Sequence, residues 1–186
     1  MTTATQNLEN DHMHIIRLIG VMERIIGTMD PRIEHLETII KVVREFADGQ
    51  HLAKEEQLLF PLMVSKGFSN ETGPVAVMLH EHELARNFVL GMAENILLFK
   101  KGERIALSAI YNNMLGYTGL LKGHIGKENT VLYRMADNVL TISEQETLLL
   151  DFMKIEHFEK DGLIVNDYLK LIDDLEDYYS NLDTDR

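Results

Sequence analysis

The chain has no cysteine among its 186 residues. That excludes disulfides, thiolate zinc sites, cysteine-ligated iron–sulfur clusters and cysteine nucleophiles. Proline is scarce at three and glycine modest at 12, which leaves room for long helices. No apolar run approaches about 18 residues, the length a membrane-spanning helix needs. Basic residues are outnumbered, 18 against 30 acidic, for a formal net charge of −12 and a pI near 5.0. No basic stripe exists to neutralise phosphates or an anionic membrane surface, so neither nucleic acid nor membrane is an expected partner. The start, MTTATQNLEND, lacks the basic and apolar regions of a signal peptide, and the expectation is a soluble cytoplasmic protein. Nothing alternates with period 2, so no strands are expected. At 45% hydrophobic and 26% charged, the length suits a full-sized core.

What is present is a repeat. The stretch HLAKEEQLLFP, from His51 to Pro61, returns 73 positions later as HIGKENTVLYR, from His124 to Arg134. His51 falls on His124, Lys54 on Lys127, Glu55 on Glu128, Leu58 on Val131, Leu59 on Leu132 and Phe60 on Tyr133. Each copy is an H-x-x-x-E running into apolar residues. On a helix, residues i and i+4 stand one above the other, with Cβ atoms roughly 6 Å apart. Each copy therefore presents an imidazole and a carboxylate on one face. Two such faces turned together form a cage that hard-to-borderline metals favour.

Helical periodicity predicts six helices. The first spans about residues 6–28, with Leu8, His12, Ile15, Ile19, Met22 and Ile26 in line. The second spans about 31–66 with Leu36, Ile40, Val43, Ala47, His51, Glu55, Leu58 and Leu62, and Pro61 is expected to kink or shorten its end. The third spans about 73–100 with Met78, His82, Ala85, Val89, Met92, Ile96 and Phe99. The fourth spans about 103–138 with Ile110, Met114, Tyr117, Leu121, His124, Glu128, Val131 and Met135. Its glycines at 116, 119, 123 and 126 suggest close packing, or room left for something small. Ser143 and Glu146 read as a capping box opening a fifth helix to about Glu159. Gly162 separates that helix from a last one over about 163–179, with a polar, fraying tail beyond.

The duplication is wider than one motif. His12 and His82 each follow an acid, Asp11 and Glu81, and each precedes an H-x-x-x-E helix. The order is that of a four-helix bundle built from two similar hairpins, and bundle cores hold metals between facing helices. One histidine on an apolar stripe is usually a core residue, and one H-x-x-x-E is weak, because i,i+4 pairs are common on helix surfaces. Four histidines and two glutamates on core stripes are a different matter. Glu55 or Glu128 buried without a partner would cost several kcal/mol each, and Leu58 and Val131 mark the stripes as buried.

The other histidines carry less. His14 and His80 lie two residues from His12 and His82 and point to other sides of their helices; an outer partner or a fifth ligand is the lesser alternative for each. His35 is rotated about 160° from His51 and reads as surface, and His157 lies outside the bundle. Tyr117 reads as a core aromatic, with an outer hydrogen bond to the site as the alternative. Met78, Met92, Met114 and Met135 read as core filler. The acidic run from Asp173 to Asp177 reads as a solvated face.

On LENDHMHII around His12, HLAKEEQLLFP, GPVAVMLHEHELAR around His82 and HIGKENTVLYR, the chain resembles hemerythrin-like (HHE cation-binding) proteins over about residues 5–140. The resemblance implies an all-α, up-down-up-down four-helix bundle around two irons, with one or two additional C-terminal helices. Residues 1–142 would be the di-iron bundle and 143–186 a helical extension packed on it. His12, His51, His82 and His124 would be terminal ligands, and Glu55 and Glu128 would bridge. Oxygen-carrying members use five histidines and an aspartate in place of the second glutamate, so this chain departs from reversible oxygen carriage. The expected cofactor is a non-haem pair of Fe ions with an oxo or hydroxo bridge and about one open position on each. The expected function is binding or turnover of a small oxidant: O2, peroxide or NO. Two alternatives stand beside it. One is an iron- or oxygen-sensing module that signals to a protein partner through the helices after Asn138. The other is delivery of iron to damaged iron centres, against which the lack of cysteine weighs, since such relatives carry a cysteine-containing segment.

Overall fold

The structure is a computed structural model that describes residues 2–157 and 163–184, with side chains up to Asn181. Every element among these residues is a helix. Helix α1 is Ala4–Ile25, opened by a capping box. Thr3 Oγ1 accepts from the Gln6 backbone N–H, and Gln6 Oε1 accepts from that of Thr3. It ends three residues earlier than periodicity suggests, ahead of Gly27 at φ 91°, a conformation glycine adopts at no steric cost.

Helix α2 covers 33–65 without interruption, with α-helical Ile33–Val42 and Phe60–Ser65 at its ends and π-helical Val43–Leu52 and Glu55–Leu59 between them. Pro61 does not shorten it; the proline sits just past the wide π turn, and the helix runs on to Ser65. Helix α3 is Gly73–Lys100. Helix α4 covers 106–139, as Ala106–Lys127, a π turn at Glu128–Leu132, and Tyr133–Val139. Helix α5 is Ile142–Glu156 and α6 is Val165–Thr184.

Cross-helix contacts show how the first four helices run. His12 meets His51 and Asn7 meets Lys54 between α1 and α2. Glu56 meets His82 and Glu37 meets Lys100 between α2 and α3. His82 meets His124, and Phe88 packs on Gly116, between α3 and α4. His12 meets Asn129 and Glu23 meets Lys122 between α4 and α1. In every pair one residue number rises as the other falls, so each of these neighbours is antiparallel.

The apolar interior has two parts. A larger cluster runs from Ile15 to Ile25, through Leu36–Ala47 and Ala85–Phe99 to Ile125, and takes in Tyr168, Ile172, Leu175 and Tyr179 of α6. A smaller one joins Leu8, Leu59, Phe60, Met63, Met78, Leu132, Tyr133 and Ala136 to Leu148 and Phe152 of α5. The buried polar residues His12, His51, Glu55, His82, His124 and Glu128 belong to neither cluster. The helices beyond residue 142 thus contribute to both parts of the core.

Several expectations need correcting. Val131 is 48% exposed, and Leu58 and Leu62 are only half-buried; the buried residues are Leu132, Leu59 and Met63. The stripe slips by one residue in both copies, because each π turn inserts one residue into the helical repeat immediately after the histidine–glutamate pair. Met135 is consequently half-buried, whereas Met78, Met92 and Met114 are core. Of the four glycines, a Cβ at Gly116 would run into the Phe88 ring, while Gly119, Gly123 and Gly126 face open space. The capping box of α5 is Thr141 with Glu144, since Thr141 holds the extended cap conformation and Ser143 already lies in the first turn. His35 is not free surface: its Nδ1 lies 3.0 Å from Tyr179 Oη, and its ring packs edge-on against Tyr178 and Tyr179 of α6. In the acidic run, Asp173 and Glu176 bind Arg17 of α1. Helix α6 continues past Ser180 to Thr184, and the expected end at Glu159 and break at Gly162 lie outside the described residues.

Candidate metal centre

Each of the first four helices delivers a histidine to one level: His12 from α1, His51 from α2, His82 from α3 and His124 from α4. All four are at most 2% exposed, and Glu55 and Glu128 are fully buried among them. The two π turns begin at these glutamates. Short π segments inside α-helices frequently mark functional sites, and this pair is duplicated with the repeat.

The histidines come in two facing pairs. Nε2 of His12 lies 3.0 Å from Nε2 of His51, and Nε2 of His82 lies 3.2 Å from Nε2 of His124. Glu128 reaches both pairs, with Oε2 3.2 Å from His12 Nε2 and Oε1 3.1 Å from His124 Nε2. Glu55 Oε2 is 3.4 Å from His82 Nε2 and 3.9 Å from His51 Nε2. Its other oxygen accepts from Tyr133 Oη at 2.7 Å. Two sets of buried side chains place one ligating atom each within metal-sharing range: Glu55, His82, His124 and Glu128, and His12, His51 and Glu128.

Each outward nitrogen, Nδ1, meets an acceptor. His12 meets Asn129 Oδ1 at 2.7 Å, His51 meets Asp11 Oδ2 at 3.2 Å, His82 meets Glu56 Oε1 at 2.7 Å and His124 meets Glu81 Oε2 at 2.9 Å. A carboxylate only accepts, so the hydrogen of His51, His82 and His124 is on Nδ1 and the lone pair of the neutral ring points into the cage. Such an outer acceptor is the usual companion of a metal-ligating histidine. The acids next to His12 and His82 in sequence serve the opposite rings: Asp11 holds His51, and Glu81 holds His124.

Glu55 Oε2 and both oxygens of Glu128 are buried without a hydrogen-bond donor. Facing neutral imidazole lone pairs, they require positive charge between them. Protons can supply it. Burial pulls His82 down, but Glu128, Glu55 and Glu56 outweigh it and push the imidazole up to about 11. Burial likewise opposes the rise of His12 and His124, and Glu128 drives both upward. Burial would raise Glu128, yet His12, His124 and His82 hold it well below the usual carboxylate range. Metal cations satisfy the same demand, and the donor set of imidazole nitrogen and carboxylate oxygen fits iron, manganese or zinc.

A cavity of about 240 Å³ adjoins the cage. Its inner wall carries His12, His51, His82 and His124, its sides Ala47, Val89, Leu121 and Tyr117, and its mouth the exposed Arg44, Arg86 and Leu90 beside Asp48. Tyr117 is buried there, and desolvation raises its hydroxyl.

The profile of the Hemerythrin HHE cation binding domain matches residues 3–136. The chain belongs to that family. Its curated relatives include proteins named iron-sulfur cluster repair protein YtfE. The one from Pectobacterium atrosepticum is 33% identical over 90 residues, 47% of this chain and 41% of its own length. Those from Pectobacterium carotovorum and Escherichia coli match the same shares at 32% and 33% identity. The chain therefore spans about two-fifths of the length of the curated relatives it matches. No solved structure matches it.

His14 and His80 do not join the cage. His14 is half-buried against Phe46, and His80 is exposed. His157 is exposed, with Nδ1 on the Met153 carbonyl. Sequence reasoning missed Lys54, Tyr133, Glu56 and Asn129. The alignment of Phe60 with Tyr133 was a signal for the tyrosine, a hydroxyl appearing in one copy only. Among the described residues no helix is long and apolar enough to cross a membrane.

Proposed function

We propose that the chain is a non-haem di-iron protein that binds or turns over a small oxidant, O2, peroxide or NO, in an up-down-up-down four-helix bundle. One observation carries the reading: Glu128 directs its two donorless oxygens at two separate histidine pairs. A carboxylate so placed could serve two ions at once, which supports the reading. His12 and His51 would hold one ion, His82 and His124 the other, with Glu128 and Glu55 shared between them. When bound, two irons supply two-electron redox chemistry and open coordination positions.

The chain's own residues do the rest. Asn129, Asp11, Glu56 and Glu81 keep the four rings turned with Nε2 inward. The two apolar clusters keep bulk water from the cage. Inside the charged mouth of Arg44, Arg86 and Asp48, the apolar cavity walls of Ala47, Val89 and Leu121 favour small uncharged ligands. Tyr133 holds one oxygen of Glu55 and keeps a hydroxyl hydrogen within the cage.

Elemental analysis of protein from iron-replete expression tests the reading. About two irons per chain are expected, with Glu55→Ala and Glu128→Ala each losing the two-metal state. If both variants keep two irons and an unchanged absorption spectrum, the assignment is wrong.

A second reading, delivery of iron to damaged iron–sulfur centres, is favoured by the names of the relatives. It predicts that iron leaves the loaded protein for an apo iron–sulfur acceptor faster than for a chelator of equal affinity.

A further inference from the structure

We infer that Lys54 and Glu156 are positioning residues for His51, so that the His12/His51 half of the cage depends on the docking of α5 while the His82/His124 half does not. The inference rests on the metal reading above for its consequence, and on geometry alone for the positioning.

The sequence repeat is again the guide. In the second half, Lys127 binds Glu81, and Glu81 accepts from Nδ1 of His124. In the first half, Lys54 binds Asp11, and Asp11 accepts from Nδ1 of His51. Lys54 matches Lys127, Asp11 matches Glu81 and His51 matches His124, so the same lysine–acid–histidine relay is built twice. The two copies differ most in the exposure of the lysine. The Lys127 side chain is 46% exposed, and that of Lys54 is 1% exposed.

Helix α5 makes the difference. Its Glu156 takes the Lys54 ammonium at 2.6 Å, and its Phe152 ring lies 5.7 Å from the same nitrogen. Lys54 Nζ has three acceptors: Asp11 Oδ2 at 2.8 Å, Asn7 Oδ1 at 3.0 Å and Glu156 Oε1. These use all three of its hydrogens. Asn7 Nδ2 also donates to Glu156 Oε1 at 3.0 Å, which closes the group. A buried ammonium tolerates the loss of a partner badly, because the remaining charge stays desolvated. Asn7, Asp11, Lys54 and Glu156 therefore hold or release together. If α5 lifts, water reaches Lys54, Asp11 loses its fixed ammonium, and the His51 ring loses the acceptor that sets its orientation. The exposed Lys127–Glu81 pair has no such dependence.

Linkage makes the coupling reciprocal. Metal at the His12/His51 position holds α5 down, and anything that draws α5 away weakens that position selectively. The C-terminal segment thus reads one half of the cage.

The test compares wild type with Glu156→Gln and Lys54→Met, with Lys127→Met as the control in the other half. The first readout uses metal-free protein. Long-range proton–nitrogen NMR follows the ring nitrogens of each histidine. In Glu156→Gln the His51 signals should move while those of His82 and His124 stay. The second readout is an anaerobic titration with Co(II) as the probe metal. Loss of a ligating histidine's own outer acceptor weakens metal binding by about 10- to 100-fold; Glu156 acts through Lys54 and Asp11, so Glu156→Gln should weaken one of two binding steps by up to about tenfold. Lys127→Met should weaken the other. The inference is overturned if the His51 signals are unmoved, or if Glu156→Gln weakens both steps alike or neither. If Lys54→Met fails to fold, Glu156→Gln, which keeps an acceptor oxygen, decides alone. A wild-type chain that takes up no metal would sink the proposed function, and the metal-free NMR comparison would still decide the positioning.

Discussion

The Tyr133 hydroxyl lies 2.7 Å from Glu55 Oε1, and both residues are fully buried. In the other half of the repeat the matching residue is Phe60. Tyr133 stacks on His12 with ring centroids 5.6 Å apart, and Phe60 stacks on His82 at 5.9 Å. The two halves share ring packing and differ by one oxygen. Glu55 consequently offers the cage one free oxygen and Glu128 offers two, so the carboxylates are equivalent in sequence and unequal in structure.

Tyr133→Phe should therefore act through Glu55. The substitution leaves a buried carboxylate oxygen with no donor, which costs about 1–3 kcal/mol. Urea denaturation of the metal-free protein should show that loss. In iron-loaded protein the charge-transfer absorption should shift, because Glu55 gains a second free oxygen. Unchanged stability together with an unchanged spectrum would show that the hydroxyl contributes nothing to the centre.

The metal-free protein should be most stable in mildly acidic solution, between about pH 4.5 and 6.5. His82 is raised from 6.5 to about 11, so the stability it contributes is fully present below 6.5 and is lost as pH climbs toward 11. Glu128 is depressed, so its contribution is present above 4.5 and is lost as pH falls below that. Metal displaces protons from the same nitrogens, so loading should release protons, and acid should weaken binding. Chemical denaturation of metal-free protein from pH 5 to 10 tests the first part. Stability that rises steadily from pH 7 to 10 would contradict it.

The two kinds of glycine on α4 should respond oppositely. At Gly116 a Cβ meets the Phe88 ring, and forcing atoms into a packed contact typically costs about 1–3 kcal/mol. At Gly119 the Cβ meets nothing within 4 Å, and Ala gains up to ~1 kcal/mol over Gly inside a helix. Thermal denaturation should lower the midpoint for Gly116→Ala and raise it for Gly119→Ala. A raised midpoint for Gly116→Ala would mean that α3 and α4 are not packed closely at Phe88.

The six cage residues were legible because their signal is local and duplicated. An i,i+4 spacing puts His51 with Glu55 and His124 with Glu128, and the second copy repeats the first. The slip after each glutamate was not legible. Leu58 and Leu59 are both apolar, as are Val131 and Leu132, so periodicity accepts either register; only the π turn selects Leu59 and Leu132. Lys54 was illegible for another reason. Its neighbours match those of the exposed Lys127, and its burial comes from Glu156 and Phe152, about a hundred positions along the chain. His35 follows the same rule: its helical angle does turn it from the cage, but α6 lies where solvent was expected. The Asp11–His51 and Glu81–His124 pairings show the limit of adjacency, since each acid serves the ring across the interface and not its neighbour in sequence.

Arg86 joins the cavity mouth to the cage. Its Nε donates to Asp48 Oδ1 at 2.8 Å and its Nη2 to Glu56 Oε1 at 2.9 Å, and Glu56 is the acceptor for His82 Nδ1. The side chain is 42% exposed, so pairs of this kind are worth only about 0.2–1 kcal/mol, and Arg86→Met should barely change stability. Its effect should be kinetic. Without the guanidinium, the link across the mouth between α2 and α3 is gone, and ligand should reach the cage faster. Stopped-flow mixing of NO with iron-loaded protein should show a higher association rate at unchanged iron content. A rate equal to wild type would mean that ligands enter elsewhere than between Arg44, Asp48 and Arg86. Loss of iron along with the faster rate would mean that Arg86 acts mainly through Glu56 on the orientation of His82.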